Sequence, residues 1–352
     1  MRKLKILYFG PNSGNSKSRV TGMRMLGHTV ELVSEADPFD SLWRIHRYLE
    51  WHLCTGPITL KWNRLFFKRA VEFKPDIVWV EMGRHVYAST LERIKEVSSC
   101  LLINTYSDDF LDSSKKSRHY EKSIPIYDYI FTPRQVNFPE LYSRGAKKVG
   151  KFWKGFAPER VFPENLSNEE KRFYGTDVVF VGHYESDRAD QLDHLCKAIR
   201  NVKIWGIGWQ KCKKVKFPQG VVQYRSTELE HEYRKALCGS KIAIHFLSRW
   251  ARDTQSSRSF EIPACCVMML AERSDDHLAC FEENKEAVFF SSTEELVDKA
   301  QFYLNYDESR QKIAQAGYQR CISSGYSNYA RVSAMIDEVM KFYTDKIVSE
   351  KR

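Results

Sequence analysis

Hydrophobic and polar positions alternate along this chain in a regular way. Short apolar runs rich in Val, Ile and Phe predict buried β-strands, and between them apolar residues recur at the three- and four-residue spacing of a helix. In the first half the predicted strands span 4–10, 29–33, 76–81, 100–104, 129–132 and 148–153. The helical stretches between them include 19–26, 39–53, 60–73, 91–97 and 139–144. Strands that alternate with helices predict a parallel sheet with helices on both faces.

The same alternation restarts after a break. Residues 157–175 (APERVFPENLSNEEKRFYG) carry two prolines and a polar run, and they predict a linker. Beyond it the predicted strands span 177–182, 202–205, 221–224, 241–246, 267–270 and 287–290. The predicted fold class is therefore α/β, with two Rossmann-like doubly wound domains, 1–156 and 176–328, that face each other across a cleft. A last helix, 329–352, could pack back on the first domain.

Composition narrows the class of protein. Of the 352 residues, 43% are hydrophobic and 28% are charged, which is ordinary for a soluble globular protein. No apolar run approaches the length of a membrane-spanning helix, and the N-terminus lacks the features of a signal peptide. The nine cysteines are scattered without a CxxC pair. We therefore expect reduced thiols in a cytoplasmic protein, and neither disulfides nor a metal site.

Positive charge is concentrated in the first half. Residues 1–156 hold 26 Lys and Arg against 16 Asp and Glu, whereas the rest of the chain is balanced. Such a surface attracts an anionic partner, although it can also be a generic basic surface.

Aromatic and basic residues interleave at Trp43, Arg44, Arg47, Tyr48, Trp51, Lys61, Trp62, Arg64, Phe66, Phe67, Lys68 and Arg69. This pattern suits either peripheral contact with the inner face of a membrane or two amphipathic helices with aromatic cores. No nucleic-acid-binding motif is present, so nucleic acid is not an expected partner.

Ligands of open α/β sheets bind at the carboxyl ends of the strands, so the residues there are the first candidates for a site. Gly10, Asn12 and Ser13 follow the first strand and form either an acceptor-binding loop or a plain turn. Glu81 and His85 follow the third strand, and His85 is a further candidate for binding the acceptor. Asp108 and Asp109 follow the fourth, and paired carboxylates can act as a general base or cap the next helix.

The second domain has a richer set of candidates. Gly182, His183 and Tyr184 follow its first strand and lead to Arg188, whose guanidinium can bind a phosphate in a bidentate manner. His245, at the end of the strand 241–246, is typical of a strand-end histidine near a site rather than of a base.

One segment, 252–266, combines hydroxyls, arginines and carboxylates before an apolar helix. Its hydroxyl and amide groups, together with Arg258, predict an anion site, and Glu261 can accept hydrogen bonds from a ribose diol. Arg258 could instead form an interdomain ion pair. The candidate residues of the segment are Asp253, Thr254, Ser256, Ser257, Arg258 and Glu261.

At this segment the sequence resembles a known family. The stretches RSFEIPACC, KEAVFFSSTEELVDKAQFYL and ESRQKIAQAGYQR, with DYIFTPRQVNFPELYSRGAKKVGKFWKGFAPERVFP upstream, resemble the CgeB-like, spore-protein-type glycosyltransferases of the GT-B superfamily. The likeness is dense over 176–331 and looser over 1–156. It implies a nucleotide-sugar donor in the C-terminal domain, an acceptor in the N-terminal domain, and no metal or cofactor.

The resemblance also assigns residues. Glu261 stands at the second position of the Glu-x7-Glu motif of related retaining enzymes, and Asp253 replaces the first glutamate. This departure leaves the stereochemical outcome open. By the same resemblance, Gly182, His183, Tyr184 and Arg188 fall at the diphosphate, and Tyr224 and Arg225 fall near the base.

The predicted function is therefore transfer of a sugar from a nucleotide-diphosphate donor to a hydroxyl of a glycan or lipid-linked acceptor, in bacterial cell-surface polysaccharide synthesis. For an inverting reaction the predicted base is Asp108 or Asp109, with Glu81 as a further candidate. Two alternatives remain, a nucleotide-sugar epimerase and a non-catalytic spore- or surface-maturation protein that binds a ligand.

Overall fold

The computed structural model divides the chain into two compact units. Unit 1 comprises Met1–Trp153, Arg249–Arg252 and Asn328–Arg352, and unit 2 comprises Lys154–Ser248 and Asp253–Ser327. The residues that the structure describes are 2–34, 48, 50, 52–109, 117–223 and 230–350. The chain therefore enters unit 1 three times, at its beginning, in a short excursion from unit 2, and at its end.

Unit 1 is built on a parallel sheet of six strands within its described residues. The strands are β1 (Lys5–Gly10), β2 (Thr29–Ser34), β3 (Ile77–Glu81), β4 (Leu101–Thr105), β5 (Tyr129–Thr132) and β6 (Val149–Lys151). Their order in the sheet is β2-β1-β3-β4-β5-β6, and in the register Ile6 stands opposite Val30 on one side and Ile77 on the other. Every residue of β3 and β4 is buried, as expected for a parallel sheet that is covered on both faces.

Helices cover both faces of this sheet. They are α1 (Gly14–Met25), α2 (Pro57–Phe73), α3 (Ala88–Val97), α4 (Arg118–Ser123), α5 (Phe138–Ser143) and the C-terminal helix, which is numbered α13 below (Asn328–Glu350). Alternate residues of a strand point to opposite faces, and β1 shows this directly. Leu7 and Phe9 pack in one core cluster with Trp62 and Phe66 of α2.

Ile6 and Tyr8 point to the other face of the sheet, where the last helix of the chain packs. Their cluster contains Val20 and Met23 of α1, and Val332, Met335, Ile336 and Val339 of α13. The close approach of the two helices depends on Gly22, because a Cβ there would lie 2.9 Å from the Cα of Tyr329. The end of the chain therefore supplies part of the core of unit 1.

Unit 2 repeats the architecture. Its strands are β7 (Thr176–Val181), β8 (Val202–Trp205), β9 (Val222–Gln223), β10 (Ser240–His245), β11 (Met268–Glu272) and β12 (Val288–Phe290), in the parallel order β12-β11-β10-β7-β8-β9. Its helices are α6 (Asn168–Tyr174), α7 (Ser186–Ala198), α8 (Glu230–Cys238), α9 (Arg258–Ala264), α10 (Asp275–Cys280), α11 (Thr293–Asn305) and α12 (Asp307–Ser323). Val178 and Phe180 of β7 pack against Leu192 and Leu195 of α7 in its core.

The predicted α/β class and the two Rossmann-like sheets are confirmed, and each predicted strand has its counterpart among the described residues. Three short helices, α4, α6 and α10, were not predicted. Each begins after a serine whose hydroxyl accepts a hydrogen bond from a backbone N–H of the first turn, at Ser117, Ser167 and Ser274. Helices of six or seven residues are too short to show hydrophobic periodicity, so only their capping residues indicate them in the sequence. Because α6 occupies 168–174, the segment 157–175 is not a linker throughout. Residues 39–47 of a predicted helix lie outside the described residues.

Candidate functional site

Two glycines shape the carboxyl end of the sheet in unit 2. Gly182 follows β7, donates its N–H to the carbonyl of Trp205 at 2.8 Å, and accepts from the indole N–H of Trp209 at 3.0 Å. Gly206 has a φ of +146°, and a Cβ there would overlap the carbonyl oxygen of Gly182. The loops after β7 and β8 can therefore approach each other because Gly206 has no side chain.

Arg188, from α7, is a buried cation beside these loops. It is 6% exposed, and its Nη1 and Nη2 donate to the carbonyl of His183 (3.3 Å) and to Glu185 Oε1 (2.8 Å). Its Nε is buried with no acceptor among the described residues. Burial lowers the pKa of Arg188, and the positive charge of Arg258 lowers it further. His183 itself is exposed, and Tyr184 packs edge-on against Trp209.

Arg258, the first residue of α9, presents a second guanidinium of this kind. Its backbone N–H donates to Ser256 Oγ at 3.1 Å, and its Nε is buried without an acceptor in the described part of the chain. A buried guanidinium N–H that has no acceptor destabilises the ligand-free protein. An anion that accepts hydrogen bonds from both arginines would remove this cost.

Glu261 lies three residues further along α9 and is paired with a tyrosine. The Tyr233 hydroxyl donates to Glu261 Oε2 at 2.8 Å. Burial raises the pKa of the Glu261 carboxyl, while the Tyr233 hydrogen bond and the Arg258 charge oppose this rise. Tyr233 comes from α8, which no motif connects with α9, so this contact could not be predicted from the sequence.

The hydroxyl-rich segment before α9 is held in place by its own hydrogen bonds. The Thr254 hydroxyl donates to Asp276 Oδ2 at 2.6 Å, and the Asp253 N–H donates to the carbonyl of Ser248 at 2.9 Å. The Ser257 carbonyl accepts from the backbone N–H of Glu261 in the first turn of α9. These contacts fix the loop that carries Arg258. The predicted base-site residues Tyr224 and Arg225 lie outside the described residues.

A buried histidine stands at the end of β10. His245 is fully buried, and its Nε2 lies 3.1 Å from Ser259 Oγ and 3.2 Å from Ser256 Oγ. Burial and the charges of His277, Arg258 and Arg188 hold the pKa of His245 well below its usual value. His245 is thus a neutral residue that is coupled to both arginines of the site. Its position at a strand end predicted a histidine near the site but no role as a base.

In unit 1, Glu81 is already engaged on both oxygens. Arg19 forms an ion pair with Glu81 Oε1, and the Tyr8 hydroxyl donates to Oε2. All three side chains are at least nine-tenths buried. Burial and the Glu81 charge raise the pKa of Tyr8. Gly10 leaves the room for this cluster, because a Cβ there would lie 2.9 Å from the Cβ of Glu81.

The two adjacent aspartates of unit 1 differ in their surroundings. Asp109 is 3% exposed and accepts a bidentate pair of hydrogen bonds from Arg252, at 2.6 and 2.8 Å. Arg252 also donates to Asn137 Oδ1 at 2.9 Å. Asp108 is partly exposed. Of the predicted pair, Asp108 is therefore the carboxylate that a substrate can reach, whereas Asp109 binds the segment 249–252 within unit 1.

The predicted acceptor residues are spread over two environments. Asn12 and Ser13 are exposed before α1, where the Ser13 carbonyl accepts from the Lys17 N–H and its side chain makes no capping bond. His85 is 1% exposed. Burial raises the pKa of the Cys54 thiol, but the hydrogen bond with His85 and the charges of His85 and Arg84 together outweigh burial, and the net shift is downward. His85 is thus a core residue that contacts Cys54, whereas Asn12 and Ser13 are exposed.

The aromatic–basic segment packs as an amphipathic helix where the structure describes it. Trp62 and Phe66 of α2 are buried in the core of unit 1, and the Trp62 indole donates to the carbonyl of Ser34 at 3.2 Å. Lys61, Arg64, Lys68 and Arg69 of the same helix are exposed. Trp43, Arg44, Arg47 and Trp51 lie outside the described residues. Within the part of the chain that the structure describes, no helix is long and apolar enough to span a membrane, and no group of three metal-ligating side chains occurs.

Comparison with known proteins agrees with this architecture. A family model described as glycosyl transferase-like matches residues 188–337. The fold of the whole chain is similar to that of sucrose-phosphate synthase from Thermosynechococcus elongatus, with a TM-score of 0.64, 10% identity, and coverage of 98% of this chain and 100% of the other. The chain has the GT-B fold. No curated protein sequence matches it.

Two further solved structures have a similar fold. Anabaena HepE, solved in complex with UDP and glucose, aligns with a TM-score of 0.58 and 12% identity over 96% of this chain and 100% of its own. A putative UDP-N-acetylglucosamine 2-epimerase from Listeria monocytogenes aligns with a TM-score of 0.57 and 11% identity over 98% of each chain. At these identities the likeness establishes the fold alone. The GT-B superfamily that the sequence resembles is supported, and the CgeB-like subtype stays a prediction.

Proposed function

We propose that this protein is a glycosyltransferase of the CgeB-like branch, which moves a sugar from a nucleotide-diphosphate donor to a hydroxyl of a glycan or lipid-linked acceptor. The role we propose for it is bacterial cell-surface polysaccharide synthesis. One observation carries the proposal: Arg188 and Arg258 of unit 2 each bury an Nε–H that has no acceptor among the described residues. The glycosyl transferase-like family match over 188–337 covers both residues.

A diphosphate is the ligand that this pair of arginines fits. Each guanidinium presents planar N–H donors that match phosphate oxygens, and the two positive charges lie near enough for Arg258 to depress the pKa of Arg188. When the glycosidic bond breaks, negative charge develops on the leaving diphosphate. Preorganised cations at that position stabilise this charge, so we propose that the reaction needs no metal ion or other cofactor.

Glu261, oriented by Tyr233, can bind the ribose of the nucleotide. A carboxylate accepts two hydrogen bonds per oxygen, and the Tyr233 hydroxyl orients the group by donating to Oε2. The remaining lone pairs can accept from the two hydroxyls of a ribose. The complex of HepE, which has the same fold, with UDP and glucose supports a nucleotide sugar as the donor.

For acceptor activation by an inverting route we propose Asp108 as the base. Its partly exposed carboxylate can take a proton from an acceptor hydroxyl. Asp109 is held in a partly buried ion pair with Arg252, and Glu81 is held in a buried ion pair with Arg19, so each would have to break strong hydrogen bonds first. The exposed lysines and arginines of α2 support contact of unit 1 with an anionic surface, such as that of a lipid-linked acceptor.

The proposal is tested by titrating the protein calorimetrically with UDP, GDP, CDP, ADP and dTDP in the presence of a chelator. We expect one nucleotide to bind, and we expect Arg258→Met to weaken it about tenfold or more, since a charge-assisted hydrogen bond contributes about 1.5–3 kcal/mol. Arg172→Ala, at an exposed arginine of α6, is the matched control.

Two results would reject the proposed site. The first is absence of binding by all five nucleotides to folded protein, and the second is equal affinity of the Arg258→Met and wild-type proteins. Once the nucleotide is known, its sugar conjugates are incubated with and without acceptor glycans. Interconversion of the donor without acceptor and without release of nucleotide would favour the epimerase alternative, which the fold of the Listeria protein also represents.

A further inference from the structure

A line of hydrogen bonds runs through the interior of unit 2 from β11 to the end of β10. His277 Nδ1 lies 2.7 Å from the carbonyl oxygen of Glu272, and His277 Nε2 lies 2.8 Å from Ser259 Oγ. Ser259 Oγ in turn lies 3.1 Å from His245 Nε2. The two imidazoles and the serine are each at most 1% exposed. Water therefore cannot substitute for any of these partners.

The direction of each hydrogen bond follows from the number of protons available. A carbonyl oxygen only accepts, so His277 Nδ1 carries the proton. Burial lowers the pKa of His277 to about 4, so at neutral pH its Nε2 is an acceptor and takes the only proton of the Ser259 hydroxyl. Ser259 Oγ also accepts from the Ser256 backbone N–H at 3.0 Å. Ser259 Oγ then has no proton left for His245 Nε2, so their 3.1 Å contact is a hydrogen bond only when Nε2 carries the proton. The same N–H also faces Ser256 Oγ, at 3.2 Å.

This arrangement leaves His245 with an unused lone pair. A neutral imidazole has one proton, and here Nε2 holds it, so Nδ1 is an acceptor. His245 Nδ1 is buried, and the described part of the chain offers it no donor. A buried acceptor without a partner is costly, so the ligand-free protein stores an interaction that only an O–H or N–H group of a ligand can make.

The polar groups around His245 indicate the chemical class of ligand that could donate to its Nδ1. Ser256 Oγ, 3.2 Å from His245 Nε2, accepts from the backbone N–H of Arg258. Nearby, Glu185 Oε1 accepts from Arg188, and the Ser248 side chain also approaches this carboxyl. Glu185 Oε2 is buried with no donor at hydrogen-bond distance among the described residues. The site thus combines two unused donors on cations with two unused acceptors. A sugar phosphate carries the complementary set, since its phosphate oxygens accept and its hydroxyls donate.

We propose that His245 Nδ1 and Glu185 Oε2 accept hydrogen bonds from hydroxyls of the sugar that is transferred, and that these two residues determine which donor sugar is used. The proposal rests on the function proposed above. A nucleotide without a sugar contacts the arginines but leaves both acceptors unpaired. A site built to bind a hydroxyl discriminates strongly against a ligand that lacks it, because the buried acceptor is then left unpaired.

Two substitutions of His245 separate its two nitrogens. The amide nitrogen of glutamine reaches the position of Nε2, so His245→Gln keeps the donor to Ser259 and loses the acceptor at Nδ1. The side-chain oxygen of asparagine reaches the position of Nδ1, so His245→Asn keeps an acceptor there. Calorimetry with UDP and with UDP-glucose gives the ratio of the two dissociation constants for each protein.

We expect His245→Gln to reduce the preference for UDP-glucose over UDP about five- to tenfold with little change for UDP, the size of a hydrogen bond to a buried group. His245→Asn should keep most of the preference. Glu185→Ala should reduce it independently. An unchanged ratio in His245→Gln would overturn the proposal, as would an equal loss of both ligands in a variant that melts at the wild-type temperature.

A measurement on the wild-type protein tests the proposal even if the His245 variants do not fold. Nitrogen-15 NMR of histidine-labelled protein distinguishes protonated from unprotonated ring nitrogens. We expect the proton of His245 on Nε2 in the ligand-free protein, and a proton on Nδ1 would overturn the proposal whatever binds. If the wild-type protein binds none of the five nucleoside diphosphates, the proposed function fails instead, and the NMR result still decides the state of His245.

Discussion

At the scale of single residues, the site of unit 2 consists of polar groups that the protein has buried without completing their hydrogen bonds. Most buried polar groups in folded proteins have a partner. Arg188, Arg258, Glu185 and His245 each have a buried atom with none among the described residues. Each such atom lowers the stability of the protein unless a ligand completes its hydrogen bonds. We therefore propose these four atoms as the contacts of a charged, hydroxylated ligand.

His277 makes the stability of unit 2 depend on pH. Burial lowers its pKa from 6.5 to about 4, so between these values the unfolded chain binds a proton that the folded protein does not. The free energy of unfolding should therefore fall as the pH drops from 6.5 to 4, by about 3 kcal/mol, and change little from this source above pH 7. Urea denaturation at several pH values measures it.

A variant and a control assign this pH dependence. His277→Asn removes the titrating group while its amide can still donate to the carbonyl of Glu272, so the fall in stability should become smaller. Because the pKa of His245 is also lowered, His245 makes stability fall with decreasing pH in the same way, so part of the pH dependence will remain in this variant. His194→Asn, at an exposed histidine of α7, controls for the substitution itself. An unchanged pH dependence in His277→Asn would contradict the assignment.

At the scale of elements, short helices depend on their capping residues. In α6 the Ser167 hydroxyl accepts from the Glu170 N–H, and the Glu170 side chain accepts from the Ser167 N–H. The Lys235 ammonium and the bonds with Ser167 hold the pKa of the Glu170 carboxyl at about 2. A helix of seven residues gains little from propagation, so this reciprocal pair determines where α6 begins.

Ser167→Ala should lower the free energy of unfolding by about 1 kcal/mol, the usual cost of a lost N-cap. Ser13 offers a matched control, because it precedes α1 but its side chain makes no capping hydrogen bond. Ser13→Ala should therefore change stability by less than about 0.5 kcal/mol. Urea unfolding of the two variants compares them directly, and equal losses would show that the capping box in α6 does not stabilise the protein.

At the scale of the whole molecule, the two ends of the chain build one core. Ile336 of α13 is fully buried in the cluster that contains Ile6 and Tyr8 of β1, more than 300 residues away in sequence. The Tyr129 hydroxyl also donates to Glu338 of α13. Unit 1 therefore cannot complete its core until the last helix has been made.

Ile336→Ala should lower the free energy of unfolding of unit 1 by about 2–4 kcal/mol, because it leaves a cavity against β1. Lys341→Ala, at an exposed position of the same helix, should leave stability nearly unchanged. Chemical denaturation followed by the fluorescence of buried Trp79 and its neighbours reports on this core. A loss below about 1 kcal/mol in Ile336→Ala would mean that α13 adds little to the stability of unit 1.

The fold was largely predictable because its signals are local. Runs such as 177–182 and 241–246 are apolar, bounded by polar or glycine residues, and regularly separated by helices, so each strand and the parallel arrangement could be predicted from neighbours in sequence. The capped helices α4, α6 and α10 were not predicted because they are too short to show the hydrophobic periodicity of a helix. The amphipathic character of α2, with Trp62 and Phe66 inside, was one of two interpretations until the burial of these rings decided it.

The sequence by itself determined the α/β class, the strands and the excess of positive charge in the first half, and it predicted Arg188, Arg258 and Glu261 as site residues. Only the tertiary structure decided which contacts such groups make. It paired Tyr233 with Glu261, engaged Asp109 and Glu81 in ion pairs, and aligned His277, Ser259 and His245 so that one nitrogen is left without a partner. The physical reason is that a strand or helix depends on residues close in sequence, whereas a hydrogen bond or a pKa depends on which distant side chains share a buried volume.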